Sequence, residues 1–259
     1  MARKDDPPPP CDLPDGATLD RLAADRWILQ PRCGQRWSTD DLLLAWTGLA
    51  ARPAASRVLD LGAGTGSVGL LALLGLGPGA RLVAVEVQAG SAALLRRTVA
   101  LQGWEDRVEV REGDLRDPEV LAGIGPFDLV LANPPYLPAG AVTRSAVAAR
   151  AVARLELHGD VADWCRAAAR VLAPDGASCL VFPAGDPRPE RAAAAAGLVG
   201  LSRRPVVFRE GRPPALSLYV FEREGRVEAP RDLAPLVVRD AEGRRTEAMR
   251  EVRRAMLVE

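Results

Sequence analysis

Residues 133–136 read Asn-Pro-Pro-Tyr and follow directly on the apolar run 127–132. Successive prolines hold φ at about −65° and supply no backbone donor, so the turn faces a ligand with carbonyl acceptors and one aromatic ring. The Asn133 side-chain oxygen and the Pro134 carbonyl can each take one N–H of an exocyclic or amide nitrogen. That nitrogen is a poor nucleophile while its lone pair is delocalised, and two acceptors favour the pyramidal form. Tyr136 adds one aromatic ring beside these acceptors.

A second constellation lies upstream. The run 57–61 enters Asp60-Leu61-Gly62-Ala63-Gly64-Thr65-Gly66. Gly64, Gly66 and Gly69 fit G-x-G-x-x-G, but a dinucleotide loop starts with the glycine directly after the strand. That glycine is Gly62, and its set would need Gly at 67, where Ser67 stands. Asp60 also brings a carboxylate that repels a pyrophosphate and attracts a cation. S-adenosylmethionine has matching features: a sulfonium and an ammonium for Asp60, a carboxylate for the helix N-terminus after Gly66, and a ribose. Glu86, at the end of the second strand-like run, is placed for the ribose hydroxyls, and Asp114, at the end of the third, for the adenine amine. These acids and Asn133 fall at the carboxyl ends of successive strands, where open parallel sheets bind ligands.

The elements that must position these groups are legible as runs. Segments 57–61, 81–87, 107–112, 127–133 and 177–182 are short and rich in Val and Leu, and they alternate with helix-period segments. Near-continuous apolar strands separated by helices imply an α/β fold with a parallel sheet covered on both faces. Segments 204–210 and 215–224 are four residues apart, too close for a parallel crossover, so they predict an antiparallel pair at the end of the sheet. A Pro-Asp-Gly at 174–176 reads as a helix stop, Ser38 or Asp40 as the cap of a helix over 41–50, and the chain after 225 as irregular, then helical from Thr246.

Length and composition set further bounds. The 259 residues suit one large domain with an appendage, and the apolar and charged shares, 48% and 26%, are those of a globular chain. The start, with Pro7 to Pro10, reads as a proline-rich tail over 1–15 without a signal core, which predicts a cytoplasmic protein. No membrane anchor is expected, since the greasy stretch 68–77 is too short for a bilayer. Cys11, Cys33, Cys165 and Cys179 lack paired spacing, so free thiols and no metal site are expected. His158 is the sole histidine and reads as a loop residue, and Asp40 and Asp41 read as a helix cap rather than an acid/base pair. Arginine pairs at 203–204, 244–245 and 253–254 could hold phosphates or be solvated surface. The oligomeric state is not encoded in any of these features.

The ordered set D-L-G-A-G-T-G, Glu86, Gly113-Asp114 and N-P-P-Y resembles the class I S-adenosylmethionine-dependent methyltransferases that modify exocyclic or amide nitrogens. A narrower likeness, carried by the segments around 30–45, 106–117 and 235–247 together with N-P-P-Y, is to bacterial tRNA adenine-N6 methyltransferases that act beside the anticodon of a valine tRNA. Leu155 and Arg245 stand where that family usually has His and Tyr. The resemblance implies a Rossmann-like, seven-stranded, mostly parallel sheet whose last strands form an antiparallel pair. It implies a capping segment at 16–50, a catalytic domain at 51–225 and an extension of that domain at 226–259.

For the site, it implies Asn133, Pro134, Pro135 and Tyr136 as catalytic residues. Asp60, Gly62, Gly64, Gly66, Glu86, Asp114, Leu115 and Asn133 would hold the cofactor, with Arg36, Arg144, Arg150 and Arg154 toward an RNA substrate, most naturally tRNA. A protein-glutamine N-methyltransferase, a ribosomal-RNA guanine-N2 methyltransferase and a non-catalytic nucleotide-binding module remain open beside that reading.

Overall fold

A computed structural model describes residues 11–34, 36–136, 159–223 and 231–258. The chain opens with an antiparallel hairpin, β1 (Ala17–Ala23) and β2 (Arg26–Pro31), then α1 (Thr39–Ala51). Alternation follows: β3 (Arg57–Leu61), α2 (Ser67–Gly75), β4 (Arg81–Glu86), α3 (Ala89–Gln102), β5 (Val108–Glu112), a 3-10 turn (Pro118–Leu121) and β6 (Phe127–Ala132). Then come α4 (Val161–Val171), β7 (Leu172–Pro183), α5 (Arg188–Ala195), β8 (Leu198–Val207) and β9 (Leu216–Arg223). The chain closes with two-residue strands β10 (Arg231–Asp232) and β11 (Leu236–Val237) and helix α6 (Glu247–Ala255).

The main sheet runs β10-β8-β9-β7-β6-β3-β4-β5, with β11 also on β8. Strands β3 to β7 are parallel, and β9 is antiparallel to both β7 and β8. The expected α/β architecture and its antiparallel end are therefore present. The strand count is corrected from seven to nine, because β10 and β11 add parallel to the outer strand β8. Two-residue strands carry no periodicity; only the free edge of β8 creates them.

Side-chain alternation divides the core into two layers, one on each face of the sheet. Val58, Leu129 and Leu131 pack with Leu42–Leu44 of α1, Leu70 and Leu71 of α2 and Leu95 of α3. Their neighbours Leu59, Leu61, Val130 and Ala132 pack with Trp164, Cys165 and Ala168 of α4. Helix α1 lies so close to β6 that a Cβ on Gly48 would come within 2.6 Å of Leu131.

The Pro-Asp-Gly segment is not the helix stop expected of it. Helix α4 ends at Val171, and residues 174–176 form a bulge inside β7, between the Phe127–Leu172 and Leu129–Ala177 pairs. Arg52, at the C-terminus of α1, donates to the Asp175 and Gly176 carbonyls and to Glu222 of β9, which fixes that bulge from across the sheet. The hairpin β1–β2 was not anticipated; its turn at Ala24 (φ 42°) and Asp25 lacks the glycine that marks most two-residue turns. Pro14 and Asp15, at the end of the proline-rich segment, border the cavity described next.

Candidate active site

Where β3, β4 and β6 end, the chain leaves the sheet and surrounds a cavity of about 680 Å³, within the usual range for small-molecule sites. The glycine loop makes its floor. Gly62 has φ 65°, and a Cβ there would press on the Trp164 ring at 3.2 Å. Gly66 caps α2 with φ 92°, and a Cβ there would meet Leu95 at 2.3 Å. The backbone thus needs glycine at both positions for conformation and for space.

Three carboxylates converge on the cavity. Glu86 is buried, and its two oxygens accept from the Gly64 and Gln88 amides, each at 2.8 Å, which fixes the side chain and leaves lone pairs open. Asp60, 1% exposed, accepts from the Gly69 amide at 2.8 Å. Burial first, then the Asp41 and Glu86 carboxylates, push its pKa up to about 8. Asp41 is pushed up to about 6, chiefly by burial. A ligand that brings positive charge would relieve this crowding, whereas a pyrophosphate would add to it. The donor set therefore fits S-adenosylmethionine.

Asp41 also performs a task that its place in the sequence does not reveal. It completes the capping box at the start of α1, its Oδ2 accepting from the Ser38 amide at 3.0 Å and from the Ser67 hydroxyl at 3.1 Å. Its Oδ1 accepts from Asn133 Nδ2 at 2.7 Å. With the amide nitrogen so engaged, the Asn133 carbonyl is the end left for the cavity that Asn133 and Pro135 line. The signal in the sequence, Asp at the third helical position after Ser38, expresses the cap, which is half of what the residue does.

The remaining expected residues divide. Asp60, Gly62, Gly64, Glu86, Asn133, Pro135 and Arg36 border the cavity together. Arg36 is clamped to Asp20 at 2.6 Å and donates to Thr18 and to the Pro31 carbonyl, so its charge anchors the hairpin beside the site. Tyr136 is half-buried, edge-on to Phe182 with centroids 6.2 Å apart, and its carbonyl accepts from Arg188. Pro134 is buried. Asp114 and Leu115 do not line the cavity: Asp114 binds Arg116, and Leu115 packs in the core with Val85 and Leu121. Arg144, Arg150, Arg154 and His158 lie outside the described residues. Among those described, no group of three or more His, Cys, Asp or Glu is placed to hold a metal ion, and no helix is long and apolar enough to cross a membrane.

Comparison with known proteins places this geometry. Residues 41–189 match the methyltransferase small domain, more than half of the chain and the whole stretch from Asp41 past Asn133. The chain belongs to the methyltransferase small-domain family. Among relatives, a protein of Shewanella amazonensis named tRNA1(Val) (adenine(37)-N6)-methyltransferase is 33% identical over 220 residues, 84% of this chain and 89% of its own length. A protein of the same name from Aeromonas salmonicida is 36% identical over 153 residues, 59% of this chain; the match spans 61% of that relative's length. A crystal structure from Agrobacterium tumefaciens, described as a predicted O-methyltransferase, superposes with a TM-score of 0.63 at 23% identity, covering 85% of this chain and 98% of that one. At that identity the likeness bears on the fold alone. The site agrees with the sheet: Asp60, Glu86 and Asn133 stand on the carboxyl rim, where open parallel sheets bind ligands.

Proposed function

We propose that this protein is an S-adenosylmethionine-dependent N-methyltransferase that acts on the exocyclic N6 of an adenine in tRNA. The observation that carries the reading is the Asp41–Asn133 hydrogen bond, which ties up the amide nitrogen and leaves a carbonyl acceptor in the cavity beside Asp60 and Glu86. The names of the relatives from Shewanella and Aeromonas support the choice of tRNA.

The residues divide the work. Asp60 and Glu86 hold the cofactor's cationic and ribose ends, and the cofactor when bound supplies an electrophilic methyl group. The Asn133 and Pro134 oxygens accept one hydrogen bond from each amine N–H and aim the nitrogen lone pair at the methyl group, while Tyr136 stacks on the base; the proton lost as the N–C bond forms passes to solvent. Alignment and fixed dipoles then replace a strong base. Asp114 stays free of a cofactor role in this reading while Arg116 holds it.

Incubation with labelled methyl donor and, in parallel, unmodified tRNA, ribosomal RNA and release factor tests the proposal. Label is expected in tRNA, lowered roughly 100-fold or more by Asn133→Ala, the scale of losing one preorganised polar contact. Label confined to the release factor or to ribosomal RNA would overturn the substrate, and label in none would overturn the activity.

A further inference from the structure

Away from the cavity, three segments bring arginines and an aromatic ring to one place. Strand β8 runs out into Phe208 and Arg209, and β11 into Val238 and Arg239. The two exits are tied together, the Val238 amide donating to the Val207 carbonyl and the Glu210 amide to the Arg239 carbonyl, each at 2.8 Å. Arg239 pairs with Arg245 through an antiparallel bridge, and Arg209 reaches across the same turn to the Ala241 carbonyl at 2.9 Å. From α6, Arg253 joins them: burial, then Arg245 and Arg239, lower its pKa.

Arginine outnumbers carboxylate along these segments. Residues 208–212 and 236–258 contain eight arginines against five carboxylates. Asp240 and Glu242 engage Arg244, and Glu247 engages Arg250 and Arg254, while Arg209, Arg239 and Arg245 stand exposed beside them. Phe208 is 36% exposed at the margin of this surface, where a core residue of its size would be covered.

Topology relates the patch to the site. Because β9 is antiparallel to both β7 and β8, the carboxyl ends of β8 and β11 lie on the same rim as the carboxyl end of β6, which leads into Asn133. The path β6-β7-β9-β8-β11 is four strand spacings, roughly 19 Å. A paired strand carries a charge about every 3.4 Å along its helix axis, so roughly 19 Å corresponds to about six phosphates of a duplex strand and to fewer of an extended one.

We propose that Arg209, Arg239, Arg245 and Arg253 form a second RNA-binding surface that holds the phosphate backbone beyond the target adenine, with Phe208 stacking on an unpaired base. The inference rests on the RNA-methylating reading above and adds where the rest of the RNA lies.

The test compares the full chain with the triple variant Arg239→Gln, Arg245→Gln, Arg253→Gln, with Arg245→Gln alone and with Phe208→Ser. Unmodified tRNA binding is followed from about 50 to 200 mM salt, and methylation of tRNA is set against that of a short RNA hairpin too small to reach the patch. The triple variant is expected to bind tRNA at least tenfold more weakly, with a salt slope shallower by roughly 2–3. Its KM for tRNA rises while kcat, hairpin methylation and S-adenosylhomocysteine affinity stay unchanged. Phe208→Ser is expected to weaken tRNA about tenfold without altering the slope. Should the triple variant lose S-adenosylhomocysteine binding through misfolding, the two single variants, both at exposed positions, decide the matter by the same readouts. Unchanged tRNA affinity and slope in a variant that still binds S-adenosylhomocysteine, while the unaltered protein methylates tRNA, would overturn the patch alone. Failure of the unaltered protein to bind or methylate any RNA would overturn both readings.

Discussion

The Asn133 side chain donates its amide nitrogen to Asp41 across 2.7 Å, joining the turn after β6 to the first turn of α1. An ionised carboxylate only accepts hydrogen bonds, so this contact selects one of the two amide orientations, the one with the carbonyl toward the cavity. Asp41 therefore acts through Asn133, as a positioning residue rather than a group that touches substrate.

Asp41→Asn should lower kcat about 100-fold, the scale on which a small misplacement of a reacting group is felt, with little change in cofactor affinity. In the unaltered protein kcat should fall as the pH drops below about 6, where Asp41 gains a proton and no longer only accepts from Asn133. Steady-state pH profiles of both proteins check this. A variant with full kcat, or with the same acidic limb, would contradict the positioning role.

Asp60 gives a second pH dependence of opposite use. Its pKa is raised from 3.8 to about 8, so between those values the folded, ligand-free protein binds more protons than the unfolded chain, and stability falls as pH rises. A cationic ligand prefers the ionised carboxylate, so S-adenosylmethionine should bind more tightly as pH climbs from about 6 to 8, with proton release, and level off above. Calorimetry in two buffers of different ionisation enthalpy measures both quantities. Asp60→Asn should flatten the curve, and an affinity independent of pH in the unaltered protein would refute the assignment.

Gly69→Ala tests the packing beneath the loop. Alanine gains about 1 kcal/mol of helix propensity over glycine. The added Cβ, however, would lie 2.8 Å from Leu82 Cδ2 and 2.9 Å from Asp60 Oδ2, both in fully buried side chains. Overpacking of this kind costs roughly 1–3 kcal/mol, so a net loss of stability is expected in chemical denaturation, together with weaker cofactor binding as Asp60 shifts. A more stable variant would show that the loop has room to give.

Much of the site could be read in advance because its residues stand at strand ends, and strand ends are marked by where apolar runs stop. Asp60, Glu86 and Asn133 came from that logic, and all three border one cavity. Asp114 ends a strand too, yet Arg116, two residues on, takes its carboxylate, a local ion pair that position along the strand does not express. The antiparallel end of the sheet followed from a connection too short to cross over.

By itself the sequence determined what local chemistry can encode: the alternation of apolar runs with helical segments, the glycines that a tight loop requires, and the proline-framed acceptors of residues 133–136. Tertiary structure alone decided which end of the Asn133 amide faces the cavity, how closely three carboxylates are crowded, and which arginines of distant segments share one surface. Those outcomes depend on distances between groups as much as 92 residues apart, as Asp41 and Asn133 are, and on the burial that strengthens their fields. Neither quantity exists until the sheet has brought its strands into order.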